Sequence, residues 1–279
     1  MLNLTLTKNM DLHFSKYSNL EEYRQTPQEP WVAHDYYYPE VDTRVLVYNN
    51  NTVSITGDAE EDFYEELILN CGEEGYVGCD EVGVGDFFGP TVYVSVKLTK
   101  ESIKKLSRSF IDIRDSKKLK SKKILQICKT IGDICDYKYT LVYDHQMKDL
   151  NWQPLNAVEQ KVVYHHKNIF DLEDTTIIDL FTTEAAFEKY SEKFNLEWPS
   201  DLVLENKADS NYLCVALASI LARGIYLLEL HNISKKYPLV DIELGGNVKE
   251  TAQKFKDTYG IDALEEVCKS SFKTFDELK

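Results

Sequence analysis

The 279-residue chain has no C-x-x-C pair and no Cys/His spacing suited to zinc; its six cysteines stand at 71, 79, 128, 135, 214 and 268. Most fall inside apolar periodic segments, where a free Cys behaves as a small hydrophobe, so the expectation is reduced, buried thiols rather than a disulfide frame. A long uninterrupted apolar run is also lacking. The longest candidate, Tyr212–Ala222, is broken off by Arg223, short of the roughly 20 residues a membrane helix needs. The first residues, Met-Leu-Asn-Leu-Thr-Leu-Thr-Lys, carry no basic start followed by a continuous apolar stretch. That pattern excludes a visible secretory signal, and the expectation is a cytoplasmic protein with no membrane partner. Bases are scarce as well: 32 Lys and Arg face 47 Asp and Glu, a net charge of −15. At face value this opposes nucleic-acid binding, which relies on Lys and Arg displacing counterions from phosphates. The deficit is uneven, because residues 1–70 hold 13 acids against 4 bases, so a basic groove elsewhere remains compatible with the total.

What is present is an ordinary globular apolar fraction, 43%, enough for one large domain or two unequal ones. The N-terminal part reads as a small α+β unit. Residues 2–6 alternate, Asp11–Tyr23 suits a short helix, Val32–Tyr38 and Thr43–Tyr48 suit strands, and Asn49-Asn50-Asn51 turns into a third strand with Val53 and Ile55. An acidic helix over Asp58–Leu69 ends near Cys71, and the Gly-Glu-Glu-Gly joint at Gly72–Gly75 sets the expected boundary, 1–72 against 73–279. Beyond it strands alternate with helices: strands over Tyr76–Asp80, Thr91–Leu98, Tyr137–Asp144 and Thr175–Asp179, helices over Lys100–Phe110, Asn156–Phe170 and Asn211–Asn232. Ile124, Ile127, Ile131 and Ile134 form a further helical stripe, Thr182 is placed to cap a helix through Phe194, and helices over Lys249–Tyr259 and Asp262–Lys269 close the chain. The large part is therefore α/β.

The most informative stretch is Asp80-Glu81-Val82-Gly83-Val84-Gly85-Asp86-Phe87-Phe88-Gly89-Pro90. Adjacent strand residues face opposite ways, so Asp80 and Glu81 can share a site only where the strand ends or bends, and Gly83 and Gly85 are placed to supply that bend. Asp179 stands where the apolar strand Thr176-Ile177-Ile178 runs out, and Asp209 stands before a long, nearly uncharged helix. Four carboxylates from separate segments, with no companion His or Cys, suit hard cations such as Mg²⁺ or Mn²⁺. Two such ions can assist in-line hydrolysis of a phosphodiester. Each residue also has a plainer role: Asp209 suits a helix N-cap, Asp179 a turn, Asp80 and Glu81 a solvated strand end, and Asp115–Lys123 a wet charged loop. His165-His166 reads as one buried and one exposed ring of an amphipathic helix, and Tyr36-Tyr37-Tyr38 as strand packing.

In their order along the chain these blocks resemble a known family. Gly78–Pro90 is similar to the opening motif of the type 2 ribonucleases H, and Gly85-Asp86-Phe87-Phe88-Gly89-Pro90 resembles the ribonuclease HIII branch. Asp115-Ser116-Lys117-Lys118-Leu119, Leu155-Asn156, Ile178-Asp179-Leu180-Phe181 and Asn206-Lys207-Ala208-Asp209-Ser210, followed by Val215–Arg223, are similar to the later blocks. Val45–Tyr48 and Thr52–Gly57 resemble the central hairpin of that branch's N-terminal domain, which is like a TATA-binding-protein half-repeat.

The resemblance implies a ribonuclease H-like mixed sheet flanked by helices, with that small N-terminal domain in front. It implies an endonuclease that cuts the RNA strand of an RNA/DNA hybrid to leave 3′-hydroxyl and 5′-phosphate ends. Asp80, Glu81, Asp179 and Asp209 would be the catalytic acids and hold two divalent ions, Mg²⁺ or Mn²⁺. Gly83, Val84 and Gly85 would meet ribose 2′-hydroxyls, Lys117, Lys118 and Lys207 phosphates, and Ser116 and Asn156 the substrate groove. No protein partner is implied, and a monomer is expected. The chain departs from the branch at Asp209, where Glu is usual, at Val84, where Thr is usual, and at Glu243, where a basic residue often precedes the turn. Asp209 keeps open cleavage at single ribonucleotides in DNA, as in ribonuclease HII. A hybrid-binding protein without catalysis is opposed by retention of all four acids. The acidic N-terminal unit is expected to contribute little to affinity.

Overall fold

The computed structural model describes residues 1–10, 12, 14, 20–113, 119–149, 155–242 and 246–279. In the N-terminal part, alternation such as that of Thr43–Tyr48, where Thr43, Val45 and Val47 are buried, favours antiparallel strands with one covered face. β1 (Leu2–Thr5), β2 (Arg24–Gln25), β3 (Val32–Tyr38), β4 (Thr43–Tyr48) and β5 (Thr52–Gly57) form a sheet in the order β1-β5-β4-β3-β2. Val45, Val47, Val53, Ile55 and Tyr38 are buried. Helix α1 (Glu60–Leu69) covers that face, with Phe63 edge-on to Tyr38 at 4.8 Å between ring centroids. Most of the helix expected over Asp11–Tyr23 lies outside the described residues; Leu20–Tyr23 is one 3₁₀ turn.

The second sheet is mixed. Its strands β6 (Tyr76–Val82), β7 (Thr91–Lys97), β8 (Asp136–Val142), β9 (Thr175–Asp179) and β10 (Leu202–Glu205) lie in the order β10-β9-β6-β7-β8. β10, β9 and β6 run parallel, whereas β7 and β8 are antiparallel additions. Helices cover both faces, as expected for α/β: α2 (Lys100–Ser107), α3 (Ser121–Ile134), α4 (Asp144–Asp149), α5 (Ala157–Lys167), α6 (Glu184–Lys193), α7 (Leu213–Lys236), α8 (Val248–Tyr259), α9 (Ile261–Val267) and α10 (Lys273–Asp276). Several details differ from the sequence reading: β2, α4 and α10 were not anticipated, and Asp144, read as the end of a strand, begins α4. β10 was not anticipated, being four residues long, and α6 is capped by Thr183, whose Oγ1 accepts from the Ala186 amide, not by Thr182.

The central element is α7, which lies across β6 and β7. Arg223 does not interrupt it, because one long cationic side chain can lie along an apolar helix without breaking its backbone. By length and composition α7 is apolar enough to cross a membrane, and most of it is buried inside this fold. Its approach to β6 requires Gly78, where a Cβ would stand 2.2 Å from the Cys214 carbonyl carbon.

The N-terminus of α7 is satisfied from a distant segment. Tyr212 gives no side-chain cap; instead Glu73, fully buried, accepts from the Leu213 and Cys214 amides at 2.7 and 2.8 Å. A carboxylate is favoured at a helix N-terminus, and these amides oppose the burial that raises the Glu73 carboxyl above its ordinary range. The Gly72–Gly75 joint is thus a packed tie. The N-terminal part is also tied to the rest of the chain by Lys8 to Glu205 at 2.7 Å, Tyr64 Oη to the Ile111 carbonyl at 2.8 Å, and the bridge Leu4–Ile113.

Candidate active site

Three parallel strands bring the acids to one edge of the second sheet. In register, Cys79 of β6 pairs with Ile178 of β9, so Asp80 and Asp179 stand side by side as the two strands run out, and Glu205 of β10 pairs with Asp179. The turn after β10 then returns Asp209 towards Asp179. That turn is fixed by the Ala208 amide, which donates to Asp179 Oδ1 at 3.0 Å, and by Lys207 in the left-handed region at φ 57°. Asp209 lies in the 3₁₀ turn Ala208–Ser210 and is not the cap of α7. The plainer role open to it is therefore filled by Glu73. Functional groups in open α/β sheets collect at such carboxyl ends of strands.

Asp80 and Glu81 face opposite sides of β6. Gly78 and Asp80 point towards α7, where Ser219 hydrogen-bonds Asp80 and the Glu81 amide donates to Asp80 Oδ1 at 2.8 Å. Burial, then the charge of Glu81, push the Asp80 carboxyl up to about 7, with Asp179 adding to the effect. Asp179 is raised too, by burial first and then by Asp209 and Glu81 despite the Ala208 amide. Glu81 points towards α5, as do Val77 and Cys79, which pack with Val162 and Phe187. Its carboxylate meets Lys161 Nζ at 2.5 Å and His165 Nε2 at 2.8 Å. Burial alone would raise Glu81, yet His165 and Lys161 together hold it below the usual range. The strand, expected to end at Asp80, stays regular through Val82 with Glu81 opposite Tyr93, so the bend at Gly83 comes too late to turn Glu81 to the Asp80 side.

The turn after β6 distinguishes its two glycines. Gly83 is buried at φ 85°, and a Cβ there would lie 2.6 Å from the Pro90 carbonyl and 2.9 Å from the Tyr226 ring. Gly85 is exposed, has no positive φ, and a Cβ there would meet nothing within 4 Å. Val84 between them is half-buried. Asn156 sits apart from the acids as the N-cap of α5, accepting from Val158 and Glu159 amides in a capping box. Lys207 is exposed beside Asp209. Ser116, Lys117 and Lys118 lie outside the described residues.

Sequence reasoning missed Ser219, Lys161 and His165 as neighbours of the acids. The only hint was periodic: Lys161 and His165 are four apart and so share one face of α5.

The donor set is all oxygen on the Asp80 side, where Asp80 and Asp179 stand on adjacent strands and the charge of Asp179 adds to the rise of Asp80. Among the described residues, no three His, Cys, Asp or Glu side chains stand close enough to ligate one ion as they lie. The chemistry nevertheless fits a hard divalent cation, whose charge would relieve the repulsion that raises Asp80 and Asp179.

The chain resembles known proteins along most of its length. The chain is 27% identical to ribonuclease HIII of Lactococcus lactis subsp. lactis (strain IL1403) over 90% of its length and 89% of that protein. It is 28% identical to ribonuclease HIII of Streptococcus pyogenes serotype M49 (strain NZ131), over 96% and 95%. Bst-RNase HIII, solved in complex with Mn²⁺, superposes with a TM-score of 0.67 at 22% identity, covering 92% of each chain. The ribonuclease H2 from Pyrococcus horikoshii OT3 superposes at 0.57 with 24% identity, covering 73% of this chain and 96% of that one. The model of the family described as Ribonuclease HII matches residues 77–275, which span β6 and all that follows it up to α10, so the chain belongs to the ribonuclease HII family.

Proposed function

We propose that this ribonuclease H cuts the RNA strand of RNA/DNA hybrids, leaving 3′-hydroxyl and 5′-phosphate ends. The observation that carries the reading is the convergence of Asp80, Asp179 and Asp209 on neighbouring strand ends, with Glu81 on the opposite face of the same strand. Both curated relatives quoted above are ribonucleases HIII and are covered almost end to end.

Asp80, Glu81, Asp179 and Asp209 are assigned to hold two divalent ions, Mg²⁺ or Mn²⁺. When bound, such ions supply the Lewis acidity that activates an attacking water and stabilises the leaving oxygen of a phosphodiester. The chain's own residues supply the rest. Ser219 and the Glu81 amide orient the Asp80 carboxylate, the Ala208 amide orients Asp179, and Lys161 with His165 fixes Glu81. The Gly83-Val84-Gly85 backbone is assigned to the ribose 2′-hydroxyl. Gly85, open to solvent and uncrowded from within, leaves room for a sugar to approach the main chain. Lys207 is assigned to a phosphate.

Asn156 is assigned to the groove only through its amide nitrogen, since its oxygen serves the α5 cap. Residues 1–72 form the smaller, substrate-facing unit and 73–279 the catalytic one. All four acids come from one chain, which suits a monomer, and the substrate class suits a cytoplasmic location.

The test compares two labelled duplexes, a full hybrid and DNA with one embedded ribonucleotide, each with Mg²⁺ and with Mn²⁺. Cleavage along the hybrid is expected. Cutting confined to the single-ribonucleotide duplex would establish the ribonuclease HII specificity that Asp209 keeps open, and no cutting of either duplex would refute the enzyme.

A further inference from the structure

The ammonium of Lys269 is buried under the turn that follows β6. The residue is 4% exposed, and its Nζ donates to the Asp86 and Gly89 carbonyls at 2.8 and 3.0 Å. Its backbone amide donates to the Phe87 carbonyl at 2.7 Å, and the Gly89 amide donates back to the Val267 carbonyl at 2.8 Å. Phe88 and Cys268 form an isolated antiparallel bridge, and Tyr226 of α7 donates its hydroxyl to the Phe88 carbonyl at 2.8 Å. Carbonyls of four successive residues, Asp86 to Gly89, are therefore held by groups outside the turn.

A buried cation is a costly way to hold a loop. Desolvation penalises the ammonium, and uncharged carbonyl dipoles recover only part of that loss. Burial accordingly pushes the Lys269 ammonium down to about 8, against the raising influence of Asp144 and Asp86. An apolar side chain would fill the space without this penalty. What lysine adds is several donors on one atom, able to tie two carbonyls three residues apart. The tie sits on the turn whose first residues, Gly83–Gly85, are assigned above to ribose.

We propose that Lys269 is a positioning residue for RNA recognition: by fixing the Asp86 and Gly89 carbonyls it holds the Gly83–Gly85 backbone in the shape that accepts a 2′-hydroxyl. The C-terminal segment between α9 and α10, more than 50 residues along the chain from the last catalytic acid, thereby sets the preference for hybrid over DNA duplex. The inference rests on the assignment of Gly83–Gly85 to ribose.

The experiment measures affinities of full-length protein for an RNA/DNA hybrid and for DNA duplex of the same sequence, by fluorescence anisotropy in EDTA so that no cleavage occurs. Wild type, Lys269→Met and Lys269→Arg are compared, with folding checked by circular dichroism. A purely structural role lowers the folded fraction and weakens both affinities equally, leaving their ratio unchanged. The expected result is a hybrid-to-DNA ratio lowered about tenfold in Lys269→Met, the scale of a hydrogen bond from a charged donor, and largely restored in Lys269→Arg. If Lys269→Met does not fold, Lys269→Gln is read in the same way. An unchanged ratio in a folded variant overturns the inference. A wild type with no preference at all overturns the ribose assignment beneath it.

Discussion

On the α7 side of β6, Asp80 has neutral donors, the Ser219 hydroxyl and the Glu81 amide, and its carboxyl is pushed up to about 7 by burial and by Glu81. One residue on, on the α5 side, Glu81 lies between Lys161 and His165 and is held below the usual carboxylate range. The same strand thus carries one acid whose charge is compensated within the fold and one whose charge is not. The difference shows where the fold tolerates instability. On the α5 side Glu81 already has Lys161 and His165 as partners, which hold its carboxylate charged and ready for an ion, whereas the α7 side is left with repulsion that an added cation would remove. Uncompensated charge in a crevice marks function more reliably than acidity as such, since the N-terminal unit is more acidic but carries much of its charge on exposed positions.

Substitutions on the two faces sharpen this contrast. The largest effect is expected from Asp80→Asn, which should lower single-turnover cleavage of a hybrid by at least about a hundredfold, the scale of losing one electrostatic contributor at a reacting centre. Wild-type rates in that variant would break the assignment of the α7 face. Lys161→Met should act mainly on stability. Removing one partner of a buried pair costs about 3–5 kcal/mol, read as a lowered urea midpoint. An unchanged midpoint would mean that Glu81 is not compensated by Lys161.

The glycines provide a second pair. Gly83→Ala forces a left-handed backbone and a clash with Pro90, a cost of about 1–3 kcal/mol visible in thermal melting. Gly85→Ala should leave the melt unchanged and weaken hybrid binding, so a substitution that left both properties intact would remove Gly85 from the substrate path. The smallest effect is expected in the N-terminal unit. Arg24→Gln should leave the salt dependence of hybrid binding as it was, whereas loss of a phosphate contact would reduce the slope by about one.

Much of this was legible in the sequence because apolar strands ending in a carboxylate are local patterns. Asp80 and Asp179 each close such a run, and the strand over Thr175–Asp179 forms with the expected bounds. What surrounds the acids was not legible. Ser219, Lys161 and His165 reach them only through packing of helices far along the chain, and nothing local distinguishes His165 from an ordinary core histidine. Glu73 read only as part of the joint that marks the boundary, because Gly-Glu-Glu-Gly is polar and interrupts the periodicity, yet its carboxylate caps a helix that begins 140 residues later. β10 escaped notice because four residues give too short a period to separate strand from loop. Lys269 read as the last residue of a helix, since its partners are backbone carbonyls that leave no sequence signature.

The central claim is that the charge on the α7 face is uncompensated until a cation arrives. Asp80 is an acid raised above its unfolded value, so ionising it opposes folding. The penalty is absent at low pH, grows as the pH rises towards 7, and is complete above it. The most direct measurement is the thermal midpoint of wild type and Asp80→Asn at pH 8, metal-free and with Mn²⁺. The expected result is a metal-free Asp80→Asn that melts above metal-free wild type, together with a Mn²⁺-induced rise that is large in wild type and small in the variant. A metal-free variant that melts lower, or an equal Mn²⁺ response in both proteins, would contradict the claim.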